Sequence, residues 1–260
     1  LFTTKVYVKK LIQFDWLAGS LSALFWMLIG LIVLKAKPDG KIQKIFYSLA
    51  VLIVLSSMSV LIPFQSNFIS FFEENTIPGI LIGIFWTIGF CFSPFVLVYL
   101  FWHFPKPFKF LEKKWVSRTV FVLPLLISIA FITISVLTVK YRALELSNYF
   151  IILQSLRFVS MAGNITAFVF LIIQYRQLKI KAEKKPLMLF ILAFTLAMVV
   201  SIYVLQIAPA ISDNLYNSPE FYAPILLVAL VPLIFAYSIF KYQLMDVSVV
   251  VKNTIIYGTA

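Results

Sequence analysis

The chain has 260 residues, 62% of them hydrophobic and only 12% charged, with a formal net charge of +12. A soluble domain carries about a quarter charged residues, and none of this length hides so much apolar surface, which excludes a water-soluble globular fold. The single cysteine, Cys91, excludes an internal disulfide and a cysteine-built metal site, and reads as a small buried or lipid-facing residue.

The sequence opens at Leu1 rather than Met with no signal-peptide pattern, so the start reads as a cut. Residues 3–11 alternate partly between polar and apolar types with β-branched and aromatic members. They read either as the last strand of a preceding external domain or as an unstructured lead-in, and residues 1–14 are set apart on that ground. Seven apolar runs follow, at about 16–34, 45–64, 77–102, 119–139, 149–173, 187–209 and 222–240. Each approaches or exceeds the ~18 residues that cross a hydrocarbon core. The predicted fold is thus an all-α integral membrane bundle of seven transmembrane helices over residues 15–240.

Pro38, Pro78 and Pro186 stand at predicted helix entries and turns, whereas Pro94, Pro124 and Pro232 fall inside spans and are expected to kink them. Trp16, Trp102 and Trp115 lie near span ends, as interfacial anchors do. Residues 241–253 are amphiphilic and too interrupted to cross, so they read as a segment lying along the interface. Residues 254–260 read as the first turns of an eighth span running outward, so the end reads as a cut as well.

Charge orients the bundle, because Lys and Arg near span ends stay in the cytoplasm. Sixteen of the 22 basic residues fall on one side: Lys35, Lys37, Lys41 and Lys44 after span one, five from Lys106 to Arg118 after span three, five from Arg176 to Lys185 after span five, and Lys241 and Lys252 after span seven. Five lie opposite, and Arg157 falls within a span. The amino end is therefore expected outside and the carboxyl end inside. The basic loops need no nucleic acid to explain them. Topogenesis accounts for them, and binding of anionic lipid headgroups is the other reading.

An ionisable residue inside a membrane costs about 2.5–3.5 kcal/mol at mid-helix, which singles out Arg157, about 12 Å from the outer end of its span. Gln154, Arg157, Met161 and Asn164 share one helical face and are expected to point into the bundle. With Gln206 nearby, the face either lines an outward pocket for a small, anionic signal molecule, or supplies interhelical hydrogen bonds while Arg157 snorkels to the outer headgroups. His103, the only histidine, reads as an interfacial polar anchor or as a pH-sensing group. No catalytic residue, metal set or Gly-rich nucleotide loop is present in the sequence.

Phe240-Lys241-Tyr242-Gln243-Leu244-Met245-Asp246, followed by Lys252-Asn253 and closing on Tyr257-Gly258, resembles the end of the multi-span amino-terminal sensor region of certain bacterial histidine kinases. Gln243 stands where that pattern has a basic residue, and Lys252 alone where two are common. Gly30-Leu31-Ile32-Val33-Leu34-Lys35-Ala36-Lys37-Pro38 resembles the family's first cytoplasmic turn, and Leu100-Phe101-Trp102-His103-Phe104-Pro105 its third-span exit. The resemblance implies a sensor of the bacterial cytoplasmic membrane. Tyr242, Leu244, Asp246 and Tyr257 would form its coupling segment, and some relatives carry an external PDZ-like domain before the spans. It also implies a homodimer, and a following output domain that uses ATP and addresses a response regulator. A small-solute transporter is the alternative of a different class, though paired broken helices do not stand out. A seven-span G-protein-coupled-type receptor rests on topology alone.

Overall fold

The computed structural model describes residues 14–57, 77–104, 107–108, 113–141, 146–179, 181–203, 207 and 226–243. Among these the chain is helical almost throughout, with no strand. The helices are α1 (Phe14–Ala36), α2 (Lys41–Ser57), α3 (Ile77–His103), α4 (Lys114–Tyr141), α5 (Leu146–Gln177), α6 (Lys181–Ile202) and α7 (Val231–Gln243). Each of the seven apolar runs overlaps one of them over its described residues. The strand at 3–11, the interfacial segment from 244 onward and the eighth span lie outside the described residues.

Four helices are long and apolar enough to cross a membrane over Ala18–Ala36, Leu81–His103, Ser117–Leu137 and Phe158–Gln177, which marks a membrane protein. The other three are shorter as apolar elements. The described part of α2 stops at Ser57, α6 spends its first turn on Lys181, Glu183, Lys184 and Lys185, and the last apolar helix covers Leu226–Lys241.

Helix ends follow backbone chemistry. Pro38 stands in a tight turn, with Lys37 N–H donating to Leu34 O at 3.2 Å and Gly40 N–H to Lys37 O at 3.0 Å. Lys44 N–H then donates to Gly40 O at 3.0 Å, opening α2. Helix two thus begins at Lys41, about a turn before the predicted span, because the Lys stems lie along apolar surface while Ile42, Ile45 and Phe46 bury. Pro94 and Pro124 lie inside α3 and α4. Pro232 proves to be the second residue of α7, after a break: Ala229 and Leu230 form a turn, and the helix restarts at Val231. A proline at the start of a helix lacks no needed donor, so the span is broken ahead of Pro232 rather than bent through it.

Neighbours run α1–α2–α3–α5–α6–α7 and back to α1, while α4 packs outside against α3 and touches α5 lightly. The core sits at one end. It joins the carboxyl ends of α1, α3, α5 and α7 (Val33, Phe101, Leu171, Ile239) to the amino ends of α2 and α6 (Phe46, Phe190). Those are the ends that adjoin the Lys-rich connections, so these helices alternate in direction. Phe235 is the hub, its ring centroid 3.9 Å from Phe190, 5.9 Å from Trp26, 6.3 Å from Phe101 and 6.4 Å from Phe46. Elsewhere large apolar side chains are exposed, as on α4 at Phe121, Val122, Leu125, Leu126 and Ile129, where lipid tails solvate them.

Without a hydrophobic drive between helices, close backbone approach holds them, and small residues permit it. A Cβ on Gly30 would meet Ala50 Cβ at 2.6 Å, which brings α1 and α2 together. Gly30→Ala is expected to cost about 1–2 kcal/mol, and to cost less in a chain that also carries Ala50→Gly, which vacates the space. A double-mutant cycle on the unfolding midpoint in detergent measures the coupling; strictly additive effects would show that the two helices are not in contact there.

Candidate functional site

The polar face singled out in the sequence lies on α5. The helix buries Leu156, Ala167, Leu171 and Gln174, with Gly163 against Pro94 of α3. At about 100° per residue, positions 154, 157, 161 and 164 fall between about a fifth and two fifths of a turn round from that buried face. They share the side that carries Phe168, whose ring stacks on Phe194 of α6 at 5.6 Å. Asn164 is half-buried and Met161 is 49% exposed. The side chains of Gln154 and Arg157, and all of Gln206, lie outside the described residues, as do Leu244, Asp246, Tyr257 and the side chain of Tyr242.

Behind the face, α3, α4 and α5 meet at a shallow cleft lined by Phe90, Cys91, Pro94, Ile127, Leu156, Val159 and Ser160. The cleft is almost wholly apolar and does not admit a water molecule.

A second group sits at the opposite end, at the exit of α3. His103 Nδ1 lies 2.9 Å from Tyr99 O, and its Nε2 lies 2.7 Å from Lys41 Nζ on α2. A carbonyl only accepts and an ammonium only donates, so Nδ1 carries the proton and Nε2 offers its lone pair; the imidazole is neutral. The Lys41 ammonium also stands 5.7 Å over the Tyr99 ring, and Tyr99 Oη is 3.2 Å from Ser117 Oγ of α4. The group ties three helices at the rim, as an interfacial anchor does. Among the described residues, no three His, Cys, Asp or Glu side chains gather as a metal site.

Several buried polar groups escaped the sequence reading. Ser238 Oγ donates to Pro186 O at 3.0 Å, fixing α7 to α6. Gln174 Nε2 reaches Phe101 O at 3.4 Å, and Gln43 is fully buried. The signal was present for Gln43 alone, as a polar residue among Ile42, Ile45 and Phe46 at helical spacing. These groups matter because they converge with the aromatic hub on α7. A chain of contact runs from the α5 face through Phe168 and Phe194 to Phe101 and on to Phe235. Neither the models of known protein families nor the curated proteins contain a match to the chain.

Proposed function

We propose that the chain is the signal-input region of a bacterial sensor protein of the histidine-kinase type. It crosses the cytoplasmic membrane seven times with its amino end outside and its carboxyl end inside. An eighth span and a cytoplasmic output domain follow, and ATP and a response regulator belong to that domain. The observation that carries the reading is the placement of α7. This helix leads into the segment from Phe240 that resembles the family's coupling region, and Phe235 holds it against α1, α2, α3 and α6. A signal received on the α5 face would shift α6 and α3, and through the hub would rebalance two positions of α7.

A sequence running beyond Ala260 into a phosphoacceptor-histidine helix and an ATP-binding domain is what this reading requires, and a stop after one more span would end it. Within the sensor, Arg157→Ala is expected to abolish or reduce the response about tenfold or more while the protein level holds, since the guanidinium would meet the signal's anionic group. Reporter output against signal concentration, with membrane protein quantified in parallel, measures it. An intact response at an intact level would remove the pocket and leave Arg157 as a snorkelling residue.

A further inference from the structure

The α6–α7 edge combines two features that belong together on a lipid. Along α6, Lys185 stands at the rim above exposed Met188, Leu192 and Val199. Along α7, Lys241 stands above exposed Tyr237 and Leu233. Each set follows the three- and four-residue spacing of one helical stripe. The helices pack side by side, and the Ser238–Pro186 hydrogen bond of 3.0 Å lies about one turn from Lys241 and one residue from Lys185, which brings the two cations to the same corner. Neither ammonium forms a hydrogen bond or ion pair with another described residue, although both are exposed.

We propose that this edge binds the headgroup of an anionic phospholipid between Lys185 and Lys241, with an acyl chain along the paired apolar stripes. This rests on α6 and α7 being membrane spans. Charge complementarity selects the ligand: two exposed ammoniums that pair with no other described residue, at headgroup level above apolar surface, match a phosphate on a hydrocarbon chain. A soluble phosphate leaves the stripes in contact with nothing of its own. A polar protein partner has no counterpart to them. The position gives the lipid a role, since Lys241 is two residues from the end of α7. Bound lipid would hold α7 to α6 and set the resting position from which the helix moves, making the response depend on the anionic content of the leaflet.

The test uses the purified chain in neutral detergent, titrated with a short-chain phosphatidylglycerol and, separately, with phosphatidylcholine of the same chain length, binding being read by native mass spectrometry. Phosphatidylglycerol is expected to bind more tightly. Each Lys near the headgroup contributes a factor of about five, so Lys185→Gln with Lys241→Gln together should weaken it about 25-fold. Lys35→Gln with Lys37→Gln, exposed cations on the α1–α2 turn, should leave it unchanged. Equal affinity for the two lipids overturns the site, as does an equal loss in the control pair, which would show a diffuse field. Competition by inorganic phosphate as strong as by the lipid overturns the role of the stripes. A chain that alkaline carbonate strips from membranes would instead refute the membrane-spanning reading beneath the proposal.

Discussion

Gly89→Ala is expected to lower the stability of the bundle by about 2–3 kcal/mol, the largest loss that one added methyl should cause anywhere in the described helices. Taken as a helix-interior residue alone, glycine is about 1 kcal/mol worse than alanine, so the intrinsic preference runs the other way. Contact decides the sign. A Cβ at position 89 would meet Leu52 O at 2.6 Å and Leu55 C at 2.8 Å, and would press on Ser56 N as well. These are backbone atoms of α2, which no rotamer change can move, so α2 and α3 must separate along the seam where they pack most closely. Unfolding in mixed micelles, followed by circular dichroism, gives the loss. A stability equal to or above that of the parent would mean that the helices do not approach there.

The second large effect falls at the hub. Phe235→Ala empties a position that four aromatic rings surround within 3.9 to 6.4 Å. In a water-soluble core such a truncation costs about 3–5 kcal/mol, part of it the transfer of the ring from water. Between membrane helices that part is small because lipid is as apolar as the core, and lost packing leaves about 2–4 kcal/mol. Phe235→Leu keeps most of the volume and should cost under about 1.5 kcal/mol. On the proposed coupling route the two variants also separate by output: alanine should leave the response unlinked to the signal, and leucine should retain it. The same micelle unfolding, together with a reporter of output at matched protein level, distinguishes them. Equal responses from both would place the coupling elsewhere.

The helices themselves were legible because each is a long apolar run bounded by Lys, Pro or Gly, and the bilayer allows little else. Which face each helix buries was not. In water an apolar residue marks the inside, but here Leu125 faces lipid and Leu100 is fully buried, and the two are equally apolar. Close approach left only the word glycine in the sequence, and Gly30, Gly89 and Gly163 look like any other until their neighbours are known. The rim group at His103 was visible as a residue, whereas its link to Lys41 spans 62 positions and is carried by the packing of α2 on α3.

The alternation of seven spans about the Lys-rich end is the central claim, and sided labelling tests it most directly. In a Cys91→Ala chain, single cysteines are placed at Lys37, Lys109 and Lys179 on the basic side and at Asn75, Ala143 and Asn214 on the other. A membrane-impermeant maleimide applied to intact cells is predicted to label positions 75, 143 and 214 and to reach 37, 109 and 179 only after the membrane is opened. Labelling of any of the three basic-side positions from outside, in cells whose membrane is intact, would contradict the topology and every function built on it.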